Sequence, residues 1–173
     1  GLVAWGYFTR DYFFGSNDID ADTKNKLAQY KDHPEQLDAD IQKQWPMLSQ
    51  QDRNDYLRAA VLRQGGFAPE LIGKLDISYE ATSGTYTVVL PAVVSHDQVD
   101  SLKSLLSDAL EKTQPGSKVS LQFWWGARMR FTEELDHQFA DIPKEERKEK
   151  ISAYVRAMGY ENPDTVIEWS KLS

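Results

Sequence analysis

The chain has 173 residues, 40% hydrophobic and 27% charged, a balance that suits one globular domain with a real core. Its net charge of −7 opposes non-specific nucleic-acid binding, so no nucleic-acid partner is expected. The absence of cysteine removes disulfides, thiol nucleophiles, iron–sulfur clusters and cysteine-ligated zinc in one step.

Residues 1–16 form an apolar, aromatic segment, with Trp5, Tyr7, Phe8, Tyr12, Phe13 and Phe14. It is shorter than the ~20 apolar residues that cross a bilayer. Two readings stand. One is an aromatic element packed on the core. The other is the end of a spanning helix begun upstream, since Trp and Tyr gather at membrane interfaces. Membrane contact is therefore expected, if at all, through residues 1–14 or a segment before them.

Residues 17–66 read as hydrophilic and helical. Asp18, Asp20 and Asp22 alternate like the first half of a calcium loop. Thr23 stands where that loop needs glycine, and Gln29 where it needs a bidentate glutamate, so the three carboxylates are expected at a helix N-terminus and no metal is expected. Leu37, Ile41 and Trp45 recur every four residues up to Pro46. Ser49 and Asp52 form a variant capping box before Tyr56, Leu57, Ala60 and Val61, and Gly65-Gly66 stops that helix.

Residues 73–131 change texture. Leu75, Ile77 and Tyr79 alternate with polar residues, as do Tyr86, Val88 and Leu90, and the turn ending at Gly84 joins them as a hairpin. Ser95 to Gln98 is a capping box, followed by Val99, Leu102, Leu106 and Leu110 at helical spacing. Pro115-Gly116 closes the helix, and Val119, Leu121, Phe123 and Trp125 alternate as a third strand. The order is ββαβ. Residues 132–173 return to helix, over Thr132–Phe139 and Pro143–Met158, with a short last helix capped at Asn162. The whole predicts an α+β fold in one compact domain, with N-terminal helices, a small mostly antiparallel sheet and C-terminal helices.

Few residues stand out for chemistry. His33, His96 and His137 lie too far apart for a helical zinc pair, and no Gly-x-Ser-x-Gly elbow or phosphate loop is present. Paired acids such as Glu145-Glu146 sit among basic residues, as on a solvated helix face. No catalytic residue and no cofactor is therefore expected. The adjacent pair Trp124-Trp125 is different. If the third strand is regular, Trp125 shares the core face, and Trp124 tops the polar row of Ser120 and Gln122. Trp124, Arg128, Arg130 and His137 are the candidate binding residues, since Trp and Arg are favoured anchors for partners and for anionic groups.

The reading that follows is a non-enzymatic binding or assembly domain that engages a protein partner, with membrane proximity as an option. The alternative is a small-ligand protein or enzyme. It would have a cleft between the helical layer and the sheet and use the aromatic and arginine residues for an anionic group. These features suit a cell-envelope-facing and a cytoplasmic setting alike.

Overall fold

The computed structural model describes residues 34–172, with side-chain environments from Asp38 onward. The aromatic segment 1–16 and the Asp18, Asp20 and Asp22 series lie outside the described residues, as does His33. In chain order the elements are α1 (Pro34–Gln44), a 3₁₀ turn (Trp45–Met47), α2 (Gln50–Gln64), α3 (Pro69–Gly73), β1 (Asp76–Glu80) and β2 (Thr85–Leu90). Then come α4 (His96–Thr113), β3 (Lys118–Phe123), α5 (Trp125–Gln138), α6 (Lys144–Ala157) and 3₁₀ turns at Pro163–Thr165 and Trp169–Lys171. The protein is α+β, as the pattern of the sequence implies.

The caps form where the residue types place them. The Ser49 hydroxyl accepts from the Asp52 amide at 3.0 Å and opens α2, and Ser95 accepts from Gln98 at 3.2 Å to open α4. Gly65 ends α2 at a φ of 76°. The Asn162 side chain accepts from the Asp164 amide at 3.1 Å, which starts a 3₁₀ turn in place of the expected short helix.

The sheet has the order β1-β2-β3. β1 and β2 form the antiparallel hairpin, with Ile77 opposite Val88 and Tyr79 opposite Tyr86. β3 pairs with β2 in parallel, Val88 with Leu121 and Leu90 with Phe123. A parallel partner needs a crossover, and the 18 residues of α4 supply it. Ile77, Tyr86, Val88 and Leu90 are buried beneath α2 and α4, while Asp76, Ser78, Lys118, Ser120 and Gln122 on the other face are exposed. The described helices that pack on the sheet therefore lie against one of its faces.

One expectation is overturned. The third strand does not run on to Trp125 but stops at Phe123, and Trp125 opens a 14-residue helix, seven positions earlier than its expected start at Thr132. The cause is the partner strand. β2 ends at Leu90, just before Pro91, so β3 finds no partner beyond it. The last bond of that ladder is the Trp124 amide donating to the Leu90 carbonyl at 2.8 Å. Beyond it the chain follows a helical repeat in Ala127, Phe131 and Leu135, of which Ala127 and Leu135 are buried. Trp125 is therefore not a core strand residue.

Among the described residues two hydrophobic clusters result. The larger gathers Trp45, Leu57, Val61, Ile72, Tyr86 and Leu106 between helices and sheet. The smaller holds Leu135, Ile151, Val155, Tyr160, Val166 and Ile167 among α5, α6 and the tail. Phe123, the last residue of β3, packs against both. A second junction joins α4 to the end of α6. The His96 amide donates to the Met158 carbonyl at 2.9 Å, and the Tyr160 hydroxyl donates to the Val94 carbonyl at 2.7 Å. Gly159 sits there at a φ of 98°, and a Cβ on it would lie 2.8 Å from that of His96. Among the described residues no helix is long and apolar enough to cross a membrane.

Candidate functional site: an aromatic corner at the start of α5

The corner forms where a strand turns directly into a helix. Trp124 is the N-cap of α5, with φ −56° and ψ 138°, so its backbone is still extended while Trp125 is already helical. That single change of conformation turns both indoles outward. Trp124 is 39% exposed and Trp125 72%, against 3% for Trp45, which belongs to the main core. The two rings stand 5.6 Å apart between centroids, tilted by 55°.

Gly126 and Arg130 hold the Trp124 ring. The ring covers Gly126, which is buried for that reason and leaves the space a side chain would fill. One turn on, the Arg130 guanidinium lies over the ring at 5.5 Å from its centroid, a cation–π contact. Trp124, Trp125 and Arg130 thus form one exposed patch with a fixed cation.

The other two candidates are elsewhere. Arg128 donates to the Asp164 carbonyl at 3.0 Å and to the Ile167 carbonyl at 2.7 Å, with Glu168 at 3.7 Å. Thr132, fully buried one turn later, donates to the Arg128 carbonyl and accepts from the Glu168 amide at 2.8 Å. Arg128 and Thr132 therefore dock the C-terminal tail on α5. His137 is exposed in the last turn of the helix, 12 residues and about 18 Å along the axis from Trp125. Asp136, next to it in the chain, is engaged by Arg147 at 3.2 Å. The patch contains Trp124 and Arg130 but neither Arg128 nor His137.

Sequence reasoning missed Trp125 and Gly126 as parts of this corner. The signal was the four-residue spacing of Ala127, Phe131 and Leu135, which extends the helix backwards to the tryptophans.

A separate cavity of about 160 Å³ opens between α1, α2 and α4, lined by Asp38, Tyr56, Arg63, Leu105, Asp108 and Lys112 among others. Asp38 accepts from the Tyr56 hydroxyl at 2.8 Å and from Arg63 at 3.0 Å. Burial first, and then the Asp38 charge, push the Tyr56 hydroxyl well above its ordinary range. None of the four candidate residues lines this cavity, and it lies between helices rather than between helices and sheet. Among the described residues no three His, Asp or Glu side chains group as metal ligands.

Comparison with protein-family models, with curated proteins and with solved structures gives no match, so the corner is read from its own chemistry.

Proposed function

We propose that the chain is a non-enzymatic binding domain that engages a protein partner through the Trp124–Trp125–Arg130 corner. The supporting observation is two adjacent tryptophans, 39% and 72% exposed, one of them packed under a cation. Single exposed apolar residues are ordinary on a protein surface. A contiguous pair of the largest side chain, stiffened by a helix start and flanked by arginine, has the make-up of a hot spot. Rigid aromatic rings also lose little conformational entropy on binding.

The test is quantitative affinity capture with the native chain and Trp125→Ala side by side. A protein recovered by the native chain and reduced about tenfold or more by the variant, at an unchanged melt, is the expected result. Identical recoveries from both overturn the reading.

The small-ligand alternative draws support from a different place, the cavity beside Asp38, Tyr56 and Arg63. Its paired charges and its apolar wall of Ala60, Leu105 and Ala109 suit a small zwitterion with an apolar side chain. Such a ligand stabilises the fold by mass action, and a thermal-shift screen of amino acids reads it directly. A flat screen counts against this alternative.

A further inference from the structure

We infer that the segment recognised at this corner is an apolar peptide carrying a carboxylate, which pairs with Arg130 while its apolar neighbour covers Trp125. The inference rests on the partner-binding reading above and adds the chemistry of the partner.

Arg58, Arg63, Arg128 and Arg147 each face a carboxylate, Asp55, Asp38, Glu168 and Asp136 in turn. Arg130 does not. Among the described residues it forms no ion pair, although Glu133 and Glu134 stand three and four residues further along the same helix face. Its guanidinium lies instead over the exposed Trp124 ring. A guanidinium that meets a ring keeps N–H donors in a planar fork, the geometry that grips a carboxylate with two bonds. The first turn of α5 carries no acidic residue, so no carboxylate from that turn competes for it.

Glu133 and Glu134 limit the charge of the partner. With two carboxylates one turn away and a net charge of −7, a polyanion is repelled. One carboxylate set beside an aromatic or aliphatic side chain fits better. It pairs with Arg130 at the patch and keeps its distance from the two glutamates, while the neighbouring side chain takes the 72% exposed face of Trp125.

The test pans a random-peptide phage library against the full chain, with Trp125→Ala as the counter-selection. The winning sequence is then made as a synthetic peptide and titrated against the native chain, Arg130→Ala and Arg130→Glu. Both positions are exposed, and a melt of each variant confirms that the fold is intact. The expected winners lose binding to Trp125→Ala and carry Asp or Glu next to an apolar residue. Arg130→Ala should weaken the synthetic peptide about tenfold, and Arg130→Glu more than that. Winners that need Trp125 but lack an acidic residue, or that bind Arg130→Glu as tightly as the native chain, overturn the acidic partner and leave the binding reading standing. A library that gives no Trp125-dependent peptide overturns both.

Discussion

The ring of Trp124 lies directly over Gly126, so close that a Cβ at Gly126 would stand 2.5 Å from its Cη2. The glycine is thus part of the seat of the tryptophan. Gly126→Ala gains about 0.5–1 kcal/mol of helix propensity but forces the ring off its place. Because the ring is half in solvent, it can swing away without a large cost. We expect a melt within about 1 kcal/mol of the native chain. We also expect a shifted Trp124 indole resonance and loss of any ligand captured through the corner. An unmoved resonance would show that the ring does not depend on this glycine.

The two tryptophans separate in a denaturant melt from the one in the core. Trp125→Ala should change stability by no more than about 0.5 kcal/mol, as for other exposed positions. Trp45 is 3% exposed and its indole N–H donates to Gln114 at 2.8 Å. Trp45→Ala should cost about 3–5 kcal/mol. A large loss from Trp125→Ala would mean that the ring is covered, and would remove the patch.

Phe123 couples the two hydrophobic clusters, since it packs against both. Phe123→Ala should cost about 3 kcal/mol, the lower end of the range for a phenylalanine because the side chain is half-buried. It should also loosen cooperativity. Hydrogen exchange read separately on α4 and on α6 is expected to show one opening free energy in the native chain and two in the variant. A single shared value in the variant would show that the His96–Met158 junction suffices to couple them.

Alkaline pH tests that junction. Burial, with Asp100 adding to it, pushes the Tyr160 hydroxyl from 10.0 up to about 12, while it donates to the Val94 carbonyl. A group whose folded pKa is raised stabilises fully below its unfolded pKa and loses that contribution as pH rises through the folded one. Stability should therefore hold to about pH 10 and fall toward about pH 12, the window between those two values. Burial raises Tyr86 as well, so the chain does not rest on one tyrosine. Tyr160→Phe should cost about 1 kcal/mol at neutral pH and flatten the alkaline fall. Identical profiles for the two chains would exclude Tyr160 as a contributor.

Asp55 and Arg58 form a largely buried pair on α2, 2.9 Å apart, and Arg58 also donates to the Leu75 carbonyl at 2.8 Å. Burial draws the Arg58 pKa down, and Asp55 works against that shift. Removing the acid strands a buried cation. Asp55→Ala should cost about 3–5 kcal/mol by urea melt, whereas a change below about 1 kcal/mol would mean that water reaches Arg58.

Local chemistry alone determined much of this fold. Alternation at Ile77–Tyr79 and Tyr86–Leu90 marks the hairpin because successive strand residues face opposite ways. The Ser49 and Ser95 hydroxyls mark helix starts because they satisfy amide groups that the helix leaves free. These are interactions between residues a few positions apart, and sequence displays them. The fate of Trp125 was different. Val119, Leu121, Phe123 and Trp125 keep a perfect alternation, so nothing in that alternation stops the strand. It ends because the neighbouring strand β2 stops at Leu90, just before Pro91, and leaves β3 no further partner. Arg128 likewise looked like a free cation beside a tryptophan, until the tail folded back to place two carbonyls on it. Tertiary structure decided those positions, because the groups that set them lie more than 30 residues away along the chain. The corner itself is a product of both: the residues are local, but their exposure follows from where a distant strand runs out.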